Sequence, residues 1–93
     1  MIAQILKLMS IQTMKPTVHE NSTYLGIVAV GNHQLTLKVL DTYGKIAKTI
    51  QTQFDEGMQE LLINLTDLHV GTYVVNAFSG GRFLKAIKFA KND

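Results

Sequence analysis

Thr72-Tyr-Val-Val-Asn-Ala-Phe-Ser79-Gly80-Gly81-Arg82-Phe83-Leu-Lys-Ala-Ile-Lys-Phe-Ala90 admits two readings, and the choice between them settles the class of the whole chain. Phe83, Leu84 and Ile87, with lysines at 85, 88 and 91, suit a basic amphipathic helix. Ser79-Gly80-Gly81-Arg82 argues instead for a hairpin, because two consecutive glycines supply the positive φ values of a type I′ turn without a Cβ penalty. The hairpin reading prevails. Thr72–Phe78 carries few polar residues and reads as a strand central in its sheet, with Phe83–Ala90 as its partner.

The same punctuation recurs outward from this hairpin. Tyr24–Val30 reads as a strand stopped by Gly31-Asn32. Gln34–Leu40 places Leu35, Leu37 and Val39 on one face and Thr36 and Lys38 on the other. Asp41-Thr-Tyr-Gly44 is a turn in which Asp41 caps its own backbone and Gly44 takes positive φ. In Lys45–Phe54, Ile46, Lys48, Ile50 and Thr52 share one parity, so apolar and polar side chains alternate imperfectly, as on an irregular or bulged edge strand. Asp55-Glu56-Gly57 turns the chain again, Met58–Leu65 sets Leu61, Ile63 and Leu65 on one side, and Thr66–Gly71 is a loop anchored by Leu68. Before these, Ile2, Ile5, Leu6 and Met9 fit helical spacing, while Ile5, Met9 and Ile11 share a strand parity. Residues 1–14 are therefore an arm or an extra strand, and His19–Thr23 is a polar loop after Lys15-Pro16. The pattern predicts an all-β antiparallel sandwich of about six to seven strands. It would span residues 15–93.

Composition narrows the function. A chain of 93 residues accommodates one domain, and 46% hydrophobic against 17% charged residues is a folding composition. The absence of cysteine excludes a disulfide framework, a thiolate zinc site and a cysteine nucleophile. A net charge of +2 is too small to imply nucleic acid. No apolar run approaches the roughly 18–20 residues of a membrane span. Met1–Met9 is not read as a signal peptide, because Lys7 falls inside its apolar stretch and no Ala-x-Ala pattern follows. His19, His33 and His69 are scattered through predicted loops, and Ser10, Ser22 and Ser79 lack a nucleophile-elbow setting. Asp55 and Glu56 flank a turn glycine, as solvated acids do. No enzyme activity, cofactor or metal is expected.

With the turns placed, a family pattern emerges. Leu37-Lys-Val-Leu-Asp41-Thr-Tyr-Gly44-Lys45-Ile46 resembles the strand, Asp-x-x-Gly-Lys, strand hairpin of type IX secretion C-terminal sorting domains. Ile63-Asn-Leu65-Thr-Asp-Leu68-His-Val-Gly71-Thr-Tyr73-Val-Val resembles their Asn/Asp-Leu-x-x-Leu-x-x-Gly-x-Tyr segment. A glycine turn and a lysine-bearing last strand ending in Phe89-Ala-Lys91 complete a likeness that runs from Pro16 to Asp93. The family's Tyr-Pro-Asn-Pro opening is reduced here to Met14-Lys-Pro16-Thr17. The resemblance implies an Ig-like sandwich, non-enzymatic, on exported proteins of Bacteroidetes-type bacteria, where outer-membrane secretion machinery reads it.

The same residues make physical sense without the family. Gly44 and Gly71 are expected where a tight turn or a close backbone approach excludes a Cβ, and Leu65 and Leu68 where a loop is pinned to the core. Tyr73 would pack its ring while its hydroxyl bonds loop backbone, as tyrosine corners do. Together with Asp41 and Lys45 these are the expected turn and packing residues. Arg82, Lys85, Lys88 and Lys91 are the candidate contacts for a partner that grips the last strand by strand addition. Against that stands edge protection, since Lys85 and Lys88 on a strand face opposite sides and form no stripe. The expected partner is a secretion-machinery protein, with no nucleic acid and no membrane insertion. The expected location is the cell surface or medium, as part of a larger exported protein. The alternative is a stand-alone structural or adhesive sandwich that self-associates, for instance as a homodimer exchanging Met1–Met14.

Overall fold

The computed structural model describes residues 9–12, 14–29, 31 and 33–92. Eight strands follow in order: β1 (Met9–Ile11), β2 (Thr17–Val18), β3 (Ser22–Ala29), β4 (His33–Leu40), β5 (Ile46–Phe54), β6 (Gly57–Asn64), β7 (Gly71–Ser79) and β8 (Arg82–Lys91). No helix occurs among the described residues. The last segment is a strand, and the Gly80-Gly81 turn before it has φ values of 58° and 77°, as a type I′ hairpin demands. The expectations for Ile2, Ile5 and Leu6, for exchange of residues 1–8, and for Val30 and Asn32 lie outside the described residues.

The strands form a three-stranded sheet in the order β1-β3-β6 and a five-stranded sheet in the order β2-β8-β7-β4-β5. This is an Ig-like sandwich. Two strands too short to show periodicity raise the number above that expected. They arise because the N-terminal segment changes sheets at Pro16. Before it, β1 pairs antiparallel with β3; after it, β2 pairs parallel with β8. Proline suits this crossing, having no N–H to leave unpaired.

The core follows strand parity. Leu25 and Ile27 from β3, Leu35, Leu37 and Val39 from β4, Ile63 from β6, and Tyr73, Val75 and Ala77 from β7 are buried together with Phe89. Two register shifts interrupt the alternation. In the β4–β5 ladder Val39 faces Lys48 but Leu40 faces Ile46, which leaves Ala47 as the extra residue. In the β7–β8 ladder Ala77 faces Lys85 but Phe78 faces Phe83, which leaves Leu84 extra. Each bulge changes which side of the sheet the preceding residues of its strand occupy. Leu84 packs against the core, while Ile46 and Phe83 stand 51% and 55% exposed. The bulge separates Ile46 from the rest of its parity in Lys45–Phe54, while Lys48, Ile50 and Thr52 stay together opposite Val39, Leu37 and Leu35.

Candidate functional site

The family-like turn and packing residues, from Asp41 to Tyr73, are spread over some thirty positions of sequence, and the fold gathers them at one end. There the β4–β5 turn is closed by Asp41, whose carboxylate accepts the backbone N–H groups of Tyr43 (2.9 Å) and Lys45 (3.0 Å). Gly44 donates its N–H to Asp41 O at 3.0 Å with φ at 80°. A Cβ at Gly44 would meet nothing within 4 Å, so positive φ rather than crowding calls for glycine. Lys45 contributes through its backbone, its carbonyl accepting from Asp41 N–H at 2.9 Å.

The loop after β6 is tied more heavily. Leu65 and Leu68 are both buried, and Leu68 N–H donates to Leu65 O at 3.0 Å. Asn64 Oδ1 accepts from Thr66 N–H (2.9 Å) and Thr66 Oγ1 (2.6 Å), an Asx turn that sets the loop's first bend. Leu65 N–H reaches Asn21 O at 2.7 Å, joining this loop to the segment before β3. The Tyr73 hydroxyl donates to His69 O at 2.6 Å, and its ring stacks on Phe89 with centroids 5.6 Å apart. That is a tyrosine corner: an apolar ring in the core with its polar tip holding the loop. At Gly71 an added Cβ would touch only the Tyr73 ring, at an ordinary 3.9 Å, so the expected close backbone approach is not found there.

Lys91 completes this end. On β8 the residues 85, 87, 89 and 91 share the inner parity, which carries the Lys91 side chain under the loop. It is 7% exposed, and its ammonium donates to Leu65 O (2.8 Å) and Leu68 O (2.7 Å). These are charge-assisted bonds in a dry setting, the strongest class available to a neutral carbonyl. Beside them Lys48 Nζ meets Asp67 at 2.9 and 3.1 Å. The hydrogen bond from Lys48 holds the Asp67 carboxyl below its ordinary value, against an opposing effect of desolvation.

The four basic residues at the C-terminus do not share a surface. Arg82 is exposed beside the Gly-Gly turn; Lys85 reaches Ile11 O at 3.5 Å; Lys88 is exposed on the outer face; Lys91 is buried. Lys91 is thus not available as the partner contact its sequence position suggests, and its parity with Ile87 and Phe89 is the signal that it points inward. Lys48 and Asp67 were not singled out at all, because an ion pair between β5 and a loop nineteen residues on leaves no local mark. Among the described residues, no group of three or more His, Cys, Asp or Glu is placed to hold a metal ion.

No curated protein matches the chain. A family model described as the secretion system C-terminal sorting domain matches residues 20–90. That span holds every turn and packing residue of the closed end except Lys91, which follows it directly.

Proposed function

The chain belongs to the secretion system C-terminal sorting domain family, and from that membership we propose that it directs an exported passenger through type IX secretion by being recognised as a folded shape. It acts by protein–protein contact with a component of the secretion machinery rather than by catalysis. The observation that carries this reading is the closed end. Lys91 and Tyr73 bind the terminal strand and the 65–71 loop into one unit, so the family-like residues build a defined surface rather than a linear epitope. Residues whose work is folding serve recognition indirectly, by fixing what a receptor meets.

The test is a reporter with a signal peptide, fused to residues 15–93 and expressed in hosts with and without type IX secretion. Surface delivery in the competent host alone is the expected result. Retention in the periplasm of both hosts overturns the sorting reading. One observation favours a second reading, self-association. The outer face of the three-stranded sheet pairs Tyr24 with Leu62 and Val28 with Met58, and Tyr24, Leu62 and Met58 are 55%, 54% and 84% exposed. Apolar faces of this kind mark association surfaces. Sedimentation of the isolated domain distinguishes the two, since a stable oligomer together with export that ignores the domain would favour the structural role.

A further inference from the structure

The outer face of the five-stranded sheet has a composition that the closed end does not explain. Its cross-strand rows can be read from the register. Gln51, Thr36, Phe78 and Phe83 form one row across β5, β4, β7 and β8; Thr49, Lys38, Asn76 and Ala86 form the next; Ile46, Leu40, Val74 and Lys88 form the third. None of these four strands contains an Asp or a Glu, although the chain has seven acidic residues. All the ionised groups on the face are thus cationic. Lys38 sits with its Nζ 5.4 Å from the Phe78 ring centroid, and Phe83 meets that ring edge-on at 5.7 Å.

Both bulges serve this face. Without them Ile46 and Phe83 would keep the inner parity of Ile50 and Ile87; with them, each large apolar side chain stands on the outside, half exposed. A bulge that re-aims a hydrophobic residue into water costs burial, and bulges concentrate where a side chain must be presented. Four strands and three rows span about 14 Å by 14 Å, the scale of an interface's desolvated centre. Aromatic anchors near the centre of a patch carry much of the binding energy at protein interfaces, and charges beside them select the partner and its orientation. An anionic membrane is a poorer fit, because two lysines contribute only about 1 kcal/mol each there.

We propose that this face, with Phe83 and Ile46 as apolar anchors and Lys38 and Lys88 as charge partners, docks an acidic segment of a secretion-machinery protein. The inference rests on the sorting reading and names where and by what chemistry the machinery binds. In the export-competent host, a photo-cross-linking phenylalanine analogue replaces Phe83 in one reporter fusion and Met58, on the opposite sheet, in another. Cross-linked peptides are then identified by mass spectrometry. The expected result is a cross-link from position 83, and not from 58, to a machinery peptide carrying two or more carboxylates. Its yield should fall about tenfold in the Lys38→Glu/Lys88→Glu variant and less in Lys38→Gln/Lys88→Gln, as loss or reversal of charge pairs predicts. Both variants should melt within a few degrees of the parent, since surface changes move stability little. Cross-links from position 58 alone, to a second copy of the domain, or to lipid or polysaccharide overturn the proposal, as does no cross-link while the reporter reaches the surface. Failure of the unsubstituted fusion to reach the surface instead overturns the sorting reading beneath it.

Discussion

At one end of the sandwich Asp41, Asn64, Tyr73 and Lys91 reach across to neighbouring backbone, and Lys48 bridges to Asp67. At the other end the chain is turned by glycines with positive φ, Gly57, Gly80 and Gly81, around which an added Cβ would meet nothing within 4 Å. The first end is held mostly by side-chain bonds; at the second the Gln59 amide also donates to Asp55 O, but the turns rest mainly on glycine backbone conformation. All the family-like turn and packing residues fall on the first. Two motifs that look separate in sequence are therefore one device, the closure of the end where β8 terminates.

Breaking that contrast starts with Lys91. Lys91→Met removes a donor from two buried carbonyls and should cost about 2–3 kcal/mol, or roughly 10–20 °C in Tm. Lys88→Met, three positions away on the outer face, should stay within about 0.5 kcal/mol. Equal losses in thermal melts followed by circular dichroism would mean that the closed end is not held by this ammonium. A smaller effect sharpens the comparison. Gly44→Ala and Gly81→Ala occupy opposite ends with φ of 80° and 77° and open space around both. Each should cost about 1 kcal/mol, the penalty of the left-handed region alone. A much larger loss at Gly44 would show that the turn strains the whole closed end.

The smallest effect belongs to Asp67. Its folded carboxyl titrates below the ordinary value of 3.8, so its stabilising contribution is fully present above that pH. As pH falls below 3.8 through the lowered folded value, the contribution is lost. Asp67→Asn should therefore flatten the acid limb of the stability curve slightly. Because the carboxylate is exposed, 1 M salt should erase most of the difference. An unchanged acid limb in the variant would remove the ion pair from the description of this end.

Strand parity made much of this architecture legible. The Leu35, Leu37, Val39 series, the Gly80-Gly81 turn and the tyrosine corner are local signals, and local signals survive in a sequence. The bulges are a property of pairing. Ile46 and Phe83 could be placed only once their strands had partners, because a single extra residue reverses the face of everything before it. Lys91 was obscured for a different reason: a lysine near a terminus reads as solvated unless the carbonyls that receive it are known. The parallel β2–β8 pair, two residues long, has no periodicity to read.

That short pair has a mechanical meaning. β2 and β8 run in the same direction, joined where Ala90 N–H meets Pro16 O and Asn92 N–H meets Val18 O, both at 2.8 Å. Tension between residue 16 and residue 92 acts along these strands in shear, so both bonds strain together and neither can yield first. The β7–β8 hairpin pulled apart at its open end, where Gly71 faces Lys91, would open like a zipper, one pair at a time. The domain should therefore resist tension between residue 16 and residue 92 better than tension that peels β8 from β7. A force measurement through residues 15 and 92 should rupture higher than one through 71 and 92, which lie together at the open end of the hairpin, and equal forces would show the clasp to be slack.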